Sequence, residues 1–249
     1  MTGGYDSAHW DAVLASWRET PATSLLRAYS DEANRRLLDA WLPPRCDRLL
    51  KTDVFDEAVS GGLSPFLQIR ANAVVAVDAS AMAVAAARRR HPELEATVAD
   101  VRALPFADAT FDVVVSNSTL DHFPALADVE VALRELNRVL VPGGLLAVTL
   151  DNPWNPLVAL RNALPFRPLA RTGLVPYYVG ATCGPRRLRR LLRETGFAVE
   201  ELAALMHVPR VLARALRPPP GLLLAGERLG RWPTRFLTGQ FVAARARKA

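Results

Sequence analysis

Cysteine is nearly absent from this chain of 249 residues, which carries only Cys46 and Cys183. Two thiols cannot build a disulfide framework, and their spacing offers no metal-ligand set, so a reducing, cytoplasmic setting is expected. Long hydrophobic runs are missing as well. The longest nearly apolar stretch, VLVPGGLLAVTL, is too short to cross a bilayer, and MTGGYDSAHWD has no basic region leading into an apolar one, so neither export nor membrane spanning is expected. There is no internal repeat, no Walker loop, and no ordering of Ser, His and Asp that points to a hydrolytic triad. With half of its residues hydrophobic and 22% charged, the chain is neither a disordered tail nor a fibre, and it can bury a core unaided.

Lysine is scarce too, since Lys51 and Lys248 are the only two among 31 basic residues. The net charge of +6 hides a separation of sign. Residues 1–160 hold 14 basic and 21 acidic side chains, net −7, whereas residues 161–249 hold 17 and 4, net +13. A GC-rich genome accounts for arginine in place of lysine but not for this separation, which points to an anionic ligand, nucleic acid or anionic lipid near the C-terminal third.

What is present has a clear rhythm. Residues 7–42 read as helices, with Leu25, Leu26, Tyr29, Leu37, Leu38 and Trp41 at helical intervals and a stop at Pro43-Pro44. Strand-like runs follow at 47–54, 73–78, 94–99, 111–116 and 145–150, separated by helical stretches such as 81–90 and 125–140. Such alternation predicts an α/β fold, a doubly wound and mostly parallel sheet. Val141-Pro142-Gly143-Gly144 is read as the stop and tight turn before the 145–150 strand. Residues 151–184 hold five prolines and no period, and are read as an inserted lid. A basic amphipathic helix (185–195), a strand (197–205), a Pro- and Arg-rich helical excursion and a last strand (238–246) complete the chain. The division expected is therefore a helical cap over 1–45, a core over 46–150, the insertion over 151–184, and the rest of the core over 185–249.

Open α/β sheets bind ligands beyond the carboxyl ends of their strands. Asp78, followed by Ala79, ends the second predicted strand, where an acid can accept both hydroxyl protons of a ribose or cap the next helix. Asp100, with Val101, follows the third, where a carboxylate can accept from an adenine amino group while the amide meets a ring nitrogen.

The motifs AVDAS, VADVRALPFADATFDVVVSNSTLDHF and ELNRVLVPGGLLAVT, between Val74 and Leu150, resemble the core of class I S-adenosylmethionine-dependent methyltransferases, in particular the small-molecule branch that includes quinone-biosynthesis enzymes. The resemblance implies a seven-stranded Rossmann-like sheet with a reversed final strand, S-adenosylmethionine as cofactor and S-adenosylhomocysteine as product. It also implies transfer of a methyl group to a small-molecule acceptor, in one form anionic or lipid-like. The pattern breaks at the first strand. The family places an acid there and then a Gly-x-Gly-x-Gly loop, but here Lys51 stands near the acid's position, and Gly61 and Gly62 come late. Either Thr52, Asp53 and a longer loop hold the methionine end, or cofactor binding is altered and the chain is a binding protein without turnover. The cofactor set that follows is Thr52, Asp53, Gly61, Gly62, Asp78, Ala79, Asp100, Val101 and Asn117.

For catalysis, His122 with Asp121 beside it is the candidate pair, as general base or as mere packing. His207 is a secondary candidate, and His9 and His91 read as surface residues. Tyr5, Trp10, Trp17, Tyr29, Trp154, Phe166, Tyr177 and Tyr178 either line an acceptor pocket or pack. No Asn/Asp-Pro-Pro-aromatic tetrapeptide follows the fourth strand, and the basic residues lack interleaved aromatics, so no nucleic-acid partner is expected. Uncompensated arginines at 161, 167, 171, 186, 190 and 193 suggest an anionic acceptor or peripheral membrane contact.

Overall fold

The computed structural model describes residues 7–165 and 178–249. Two helices open it, α1 (Ser7–Ser16) and α2 (Pro21–Trp41). Thr20 and Thr23 form a reciprocal cap at the start of α2, and Pro21 occupies a first-turn position where a missing amide costs nothing. The sheet then begins with β1 (Cys46–Lys51), followed by the short helices α3 (Phe55–Val59) and α4 (Ser64–Arg70) and by β2 (Ala71–Asp78). After α5 (Ala81–Arg90) come β3 (Glu95–Val98) and β4 (Phe111–Asn117), then α6 (Leu126–Val139) and β5 (Leu140–Asp151). Next are α7 (Pro156–Ala163), α8 (Pro185–Glu194) and β6 (Phe197–Leu205). Last come α9 (Arg210–Leu216), α10 (Pro220–Gly226), α11 (Arg235–Thr238) and β7 (Phe241–Lys248).

The seven strands lie in the order β3-β2-β1-β4-β5-β7-β6. The first five are parallel, and β7 runs antiparallel to both β5 and β6. The predicted fold class is thus the observed one. Consecutive residues on the central strands point to opposite faces, and both are buried because helices cover both sides. Leu49, Val74 and Val113 meet α2 and α5 on one face, while Leu50, Val75 and Val114 meet α6 and α8 on the other. In α8 the expected division holds: Leu188, Leu191 and Leu192 are buried, and Arg186, Arg190 and Arg193 are exposed.

Two sequence expectations need correction. Val141-Pro142-Gly143-Gly144 does not form a turn before the strand but lies inside β5. Phe111 faces Leu140 whereas Val113 faces Leu145, so the extra residues are absorbed as a bulge, and Gly143 takes a positive φ of 71° there. The arginine field is also less bare than its sequence suggests, because Arg161 pairs with Asp151 and Arg190 with Glu194. Arg167 and Arg171 lie outside the described residues, as do Tyr5, Phe166 and Tyr177. Among the described residues no helix is long and apolar enough to cross a membrane.

Candidate functional site

The strand order reverses between β1 and β4, which makes their carboxyl ends the place where a ligand can enter between diverging connections. Lys51 closes β1 with its side chain buried. A bare ammonium there would be prohibitively costly, and three groups answer it. Its Nζ lies 3.0 Å from Glu57 Oε2 and 3.2 Å from Asp53 Oδ2, and it donates to the Asp53 carbonyl at 2.7 Å. Glu57 is itself wholly buried, and its other oxygen accepts from the amides of Leu63 and Ser64 at 3.0 and 3.1 Å, which serves the uncapped start of α4. Gly62 makes this possible. It has a φ of 54°, and a Cβ there would lie 2.5 Å from Glu57 Oε1. A Cβ at Gly61 would meet nothing within 4 Å. The late glycines thus flank open space on one side and an internal ion pair on the other.

Carboxylates accumulate around this pair. Asp56 pairs with Arg27 from α2. Asp78 accepts from the amides of Val54 and Ser80 at 3.0 and 2.8 Å, and burial nevertheless holds its pKa above the usual range. Asp53 is pushed up to about 7, first by burial and then by Glu57, Asp56 and Asp78, with Lys51 opposing. Asp31, on α2, is also pushed up to about 7, by burial and then by Asp56, with Arg27 and Lys51 opposing. Asp31, Asp53, Asp56, Glu57 and Asp78 outnumber Lys51 and Arg27, so the site is short of positive charge. Ala79 connects Asp78 to Ser80, whose hydroxyl caps α5 by accepting from Ala83 and also bonds Asp11 of α1.

The end of β4 supplies uncharged polar groups. Thr52 Oγ1 lies 2.9 Å from Ser116 Oγ and 2.8 Å from Thr119 Oγ1 in a buried hydroxyl cluster. Asn117 donates its amide to Asn34 Oδ1 of α2 at 2.8 Å. Its own Oδ1 is buried and has no partner among the described residues, a condition that native interiors rarely tolerate without a ligand or water.

Beyond β4, Asp121 is buried and accepts from the Ser118 hydroxyl and, at 2.8 Å, from the Asp151 amide. Asp151, buried at the end of β5, is raised in pKa by burial and by Asp121, against which Arg161 acts. His122 presents Nδ1 to the Tyr178 carbonyl at 2.8 Å, while Nε2 stands 4.0 Å from Asp121 Oδ1. Trp10 of α1 stands edge-on to this imidazole at 4.6 Å, and Trp10 and Trp17 both pack against Phe55. A neutral imidazole whose Nδ1–H is taken by a carbonyl keeps its basic lone pair on Nε2.

Asp100 stands apart from this cluster in its bonding. Arg102 Nη2 reaches Oδ2 at 2.7 Å, the Arg102 amide reaches Oδ1 at 2.8 Å, and the same guanidinium bridges to Asp128 at 2.9 Å. Val101 is buried in the core. His207 has both ring nitrogens engaged, by Thr238 Oγ1 and the Ala204 carbonyl, and burial lowers its pKa. His91 is not a plain surface residue, since its ring bonds the Ser60 carbonyl. Tyr29 is a core residue whose hydroxyl bonds Glu227, and Trp154 packs against Phe236 beneath Arg186.

Sequence reasoning missed Arg27, Asp31, Asn34 and Glu57. The first three recur at i, i+4 and i+7 on a helix otherwise read for its apolar stripe, and that polar stripe was the available signal. Glu57 had none, because a buried carboxylate beside a buried lysine is set by tertiary contact alone.

A methyltransferase domain family matches residues 58–148. A probable S-adenosylmethionine-dependent methyltransferase of Mycobacterium tuberculosis is 32% identical over 171 residues, covering 68% of this chain and 56% of the relative. The chain thus spans little more than half of that protein. The demethylmenaquinone methyltransferase of Thermus thermophilus is 35% identical over 160 residues, covering 56% of this chain and 71% of the relative. Among solved structures, the geranyl diphosphate C-methyltransferase of Streptomyces coelicolor, in complex with Mg2+, geranyl diphosphate and S-adenosyl-L-homocysteine, superposes with a TM-score of 0.62. It is 18% identical, covering 88% of this chain and 80% of that one.

Proposed function

We propose that this chain, which belongs to the class I S-adenosylmethionine-dependent methyltransferases, transfers the methyl group of S-adenosylmethionine to an oxygen, nitrogen or carbon of a small-molecule acceptor in the cytoplasm. The observation that carries the reading is the deficit of positive charge at the carboxyl ends of β1 and β2. The cofactor brings a sulfonium and an α-ammonium group, and both complement that field. The orphaned Asn117 Oδ1 adds an acceptor beside it. In this reading Asp78 and Ala79 receive the ribose, Asp53, Thr52 and Asn117 hold the methionine end beside Gly61 and Gly62, and Asp100 with Val101 meets the adenine once Arg102 yields an oxygen.

When bound, the cofactor supplies an electrophilic methyl carbon, and much of the barrier is met by holding the acceptor in line with it. His122 takes the acceptor's proton on Nε2 where the acceptor arrives protonated, and its Nδ1–H bond to the Tyr178 carbonyl keeps the ring in that tautomer. Buried Asp121 ties the turn after β4, on which His122 sits, to the end of β5 by accepting from the Ser118 hydroxyl and the Asp151 amide. The acceptor in this reading is anionic or lipid-like and approaches the arginine-rich side, and no nucleic acid takes part.

A second reading, cofactor binding without transfer, is favoured by the Lys51–Glu57 pair in the loop after β1 and by the Arg102 fork on Asp100. Calorimetric titration with S-adenosylhomocysteine tests both. Removing a carboxylate that accepts two hydroxyl bonds costs about 1.5–3 kcal/mol per charged bond, so Asp78→Ala is expected to weaken binding by tenfold or more. Unchanged affinity would overturn the site. Tight binding with no methylated product from an acceptor library would leave the second reading standing.

A further inference from the structure

The segment between β6 and β7 takes no part in the cofactor end. α9 and α10 pack on α2, the 3-10 turn Glu227–Arg231 packs on β6, and α11 packs on both that turn and β6. Each of the two longer helices sends one side chain fully inward, Ala213 and Leu223. Leu224 is half-buried against the core, and most of the remaining large apolar side chains of the segment face out. Leu216 is 73% exposed, Leu222 62% and Trp232 61%, and Val211, Leu212 and Leu237 are all at least half exposed. Six large apolar side chains left outside in under thirty residues is far from ordinary surface, where such residues stand singly.

The polar residues of this surface carry one sign. Arg214, Arg217, Arg228 and Arg231 are exposed, and the last three form no ion pair with a described residue. The single acid of the segment, Glu227, is turned inward. Its oxygens accept from the amides of Met206 and His207 and from the Tyr29 hydroxyl of α2. That bond anchors the segment while removing its only negative charge from the surface. Pro209, Pro218, Pro219, Pro220 and Pro233 break the segment into pieces too short to bury a stripe of their own.

Exposed arginine, leucine and tryptophan gathered within residues 209–238 match the boundary of an anionic bilayer. There a guanidinium meets lipid phosphate while its stem, the leucines and the indole enter the acyl margin. A second copy of the chain would set arginine against arginine, and an acidic protein would leave the leucines without a complement. We propose that the surface formed by residues 209–238 docks on an anionic lipid bilayer, with Leu216, Leu222, Trp232 and Leu237 inserted and Arg217, Arg228 and Arg231 on the headgroups. Docking sets α2, which carries Arg27, Asp31 and Asn34 of the site, one layer from the membrane.

The test is sedimentation of the full chain with vesicles of phosphatidylcholine alone and of phosphatidylcholine with phosphatidylglycerol. The chain is expected to partition onto the anionic vesicles only, and to do so less as salt rises. Arg228→Gln/Arg231→Gln should cut that partition by about tenfold or more, in line with the attraction of each basic residue to an anionic surface. Leu216→Ser/Trp232→Ser should cut it at low salt as well, and brominated lipid should quench wild-type tryptophan fluorescence more than that of Trp232→Phe. The calorimetric affinity for S-adenosylhomocysteine serves as a fold control, since none of these residues lies in the cofactor site. Absence of binding to anionic vesicles, equal binding to both kinds, or binding unchanged in both double variants would overturn the proposal. So would a change in molar mass by light scattering, caused by the leucine–tryptophan variant without vesicle binding, which would make the surface a contact between copies.

Discussion

Asp31→Asn should make the protein more stable, by an amount that grows as pH rises from about 4 to 7, and a poorer binder of its cofactor above neutral pH. Asp31 is a partly buried carboxyl on α2 facing Asp56 and Glu57, with Arg27 and Lys51 opposing them. Its folded-state pKa is raised to about 7, whereas the unfolded chain ionises near the ordinary value of 3.8. Between those two pH values the folded state holds a proton that the unfolded state has lost, so stability falls as pH rises from about 4 to 7 and stays low beyond. The full gap corresponds to ~4 kcal/mol, and screening at a partly exposed position reduces it to ~2 kcal/mol. Asparagine keeps the shape and never ionises. At pH 8 the variant should therefore unfold about 4–8 °C higher than wild type, a conversion appropriate to a chain of this length. At pH 5, where wild-type Asp31 is protonated when folded, most of that gain should vanish. Scanning calorimetry at the two pH values measures it. Binding supplies the complementary readout, because the wild-type affinity for S-adenosylmethionine should rise as pH passes through 7 and the variant should lack most of that rise. A variant no more stable at pH 8 than wild type would refute the argument that this carboxylate cluster is loaded for a cation.

Gly62→Ala combines a positive φ with a Cβ 2.5 Å from the Glu57 carboxylate, and should cost ~1–3 kcal/mol by urea unfolding, with loss of cofactor affinity if the Lys51–Glu57 pair shifts. His122→Ala should slow the chemical step by roughly 100-fold in single-turnover assays while leaving cofactor affinity intact, and the loss should shrink as pH rises if the acceptor deprotonates unaided. A loss of only a few-fold at neutral pH would return His122 to packing against Trp10.

Much of the sheet was legible because strands covered on both faces read as continuous apolar runs. LLAVTL and FDVVVS are such runs, and their pairing at Val113–Leu145 needs no polar contact to specify it. The run ahead of LLAVTL misled, since proline and glycine are as much the mark of a bulge as of a turn, and only the partner strand decides between them. At the site, Asp78 was legible because a strand-terminal acid before a small residue and a capping serine is a local pattern. The loop after β1 was not. Its logic is a buried lysine met by a carboxylate six residues on, and neither local propensity nor apolar period registers such a pairing. The α2 contribution was half legible: its apolar stripe gave the helix, but its polar stripe gains meaning only when Asn34 is brought to Asn117, 83 residues away.

The place of β7 has a consequence for how the molecule is made. Every other strand precedes it in chain order, yet it lies between β5 and β6 and forms the antiparallel ladders that join them. While the chain emerges from the ribosome, β5 therefore offers an unpaired edge and β6 has no neighbour at all until residues 241–248 are free to enter the gap. The five parallel strands can collapse early around α2, α5 and α6, but the arginine-rich third stays loosely attached until this last strand arrives. Synthesis stalled or cut short before Phe241 would leave a nearly complete nucleotide-fold core with an open, apolar sheet edge, the form most open to pairing with a neighbouring nascent chain.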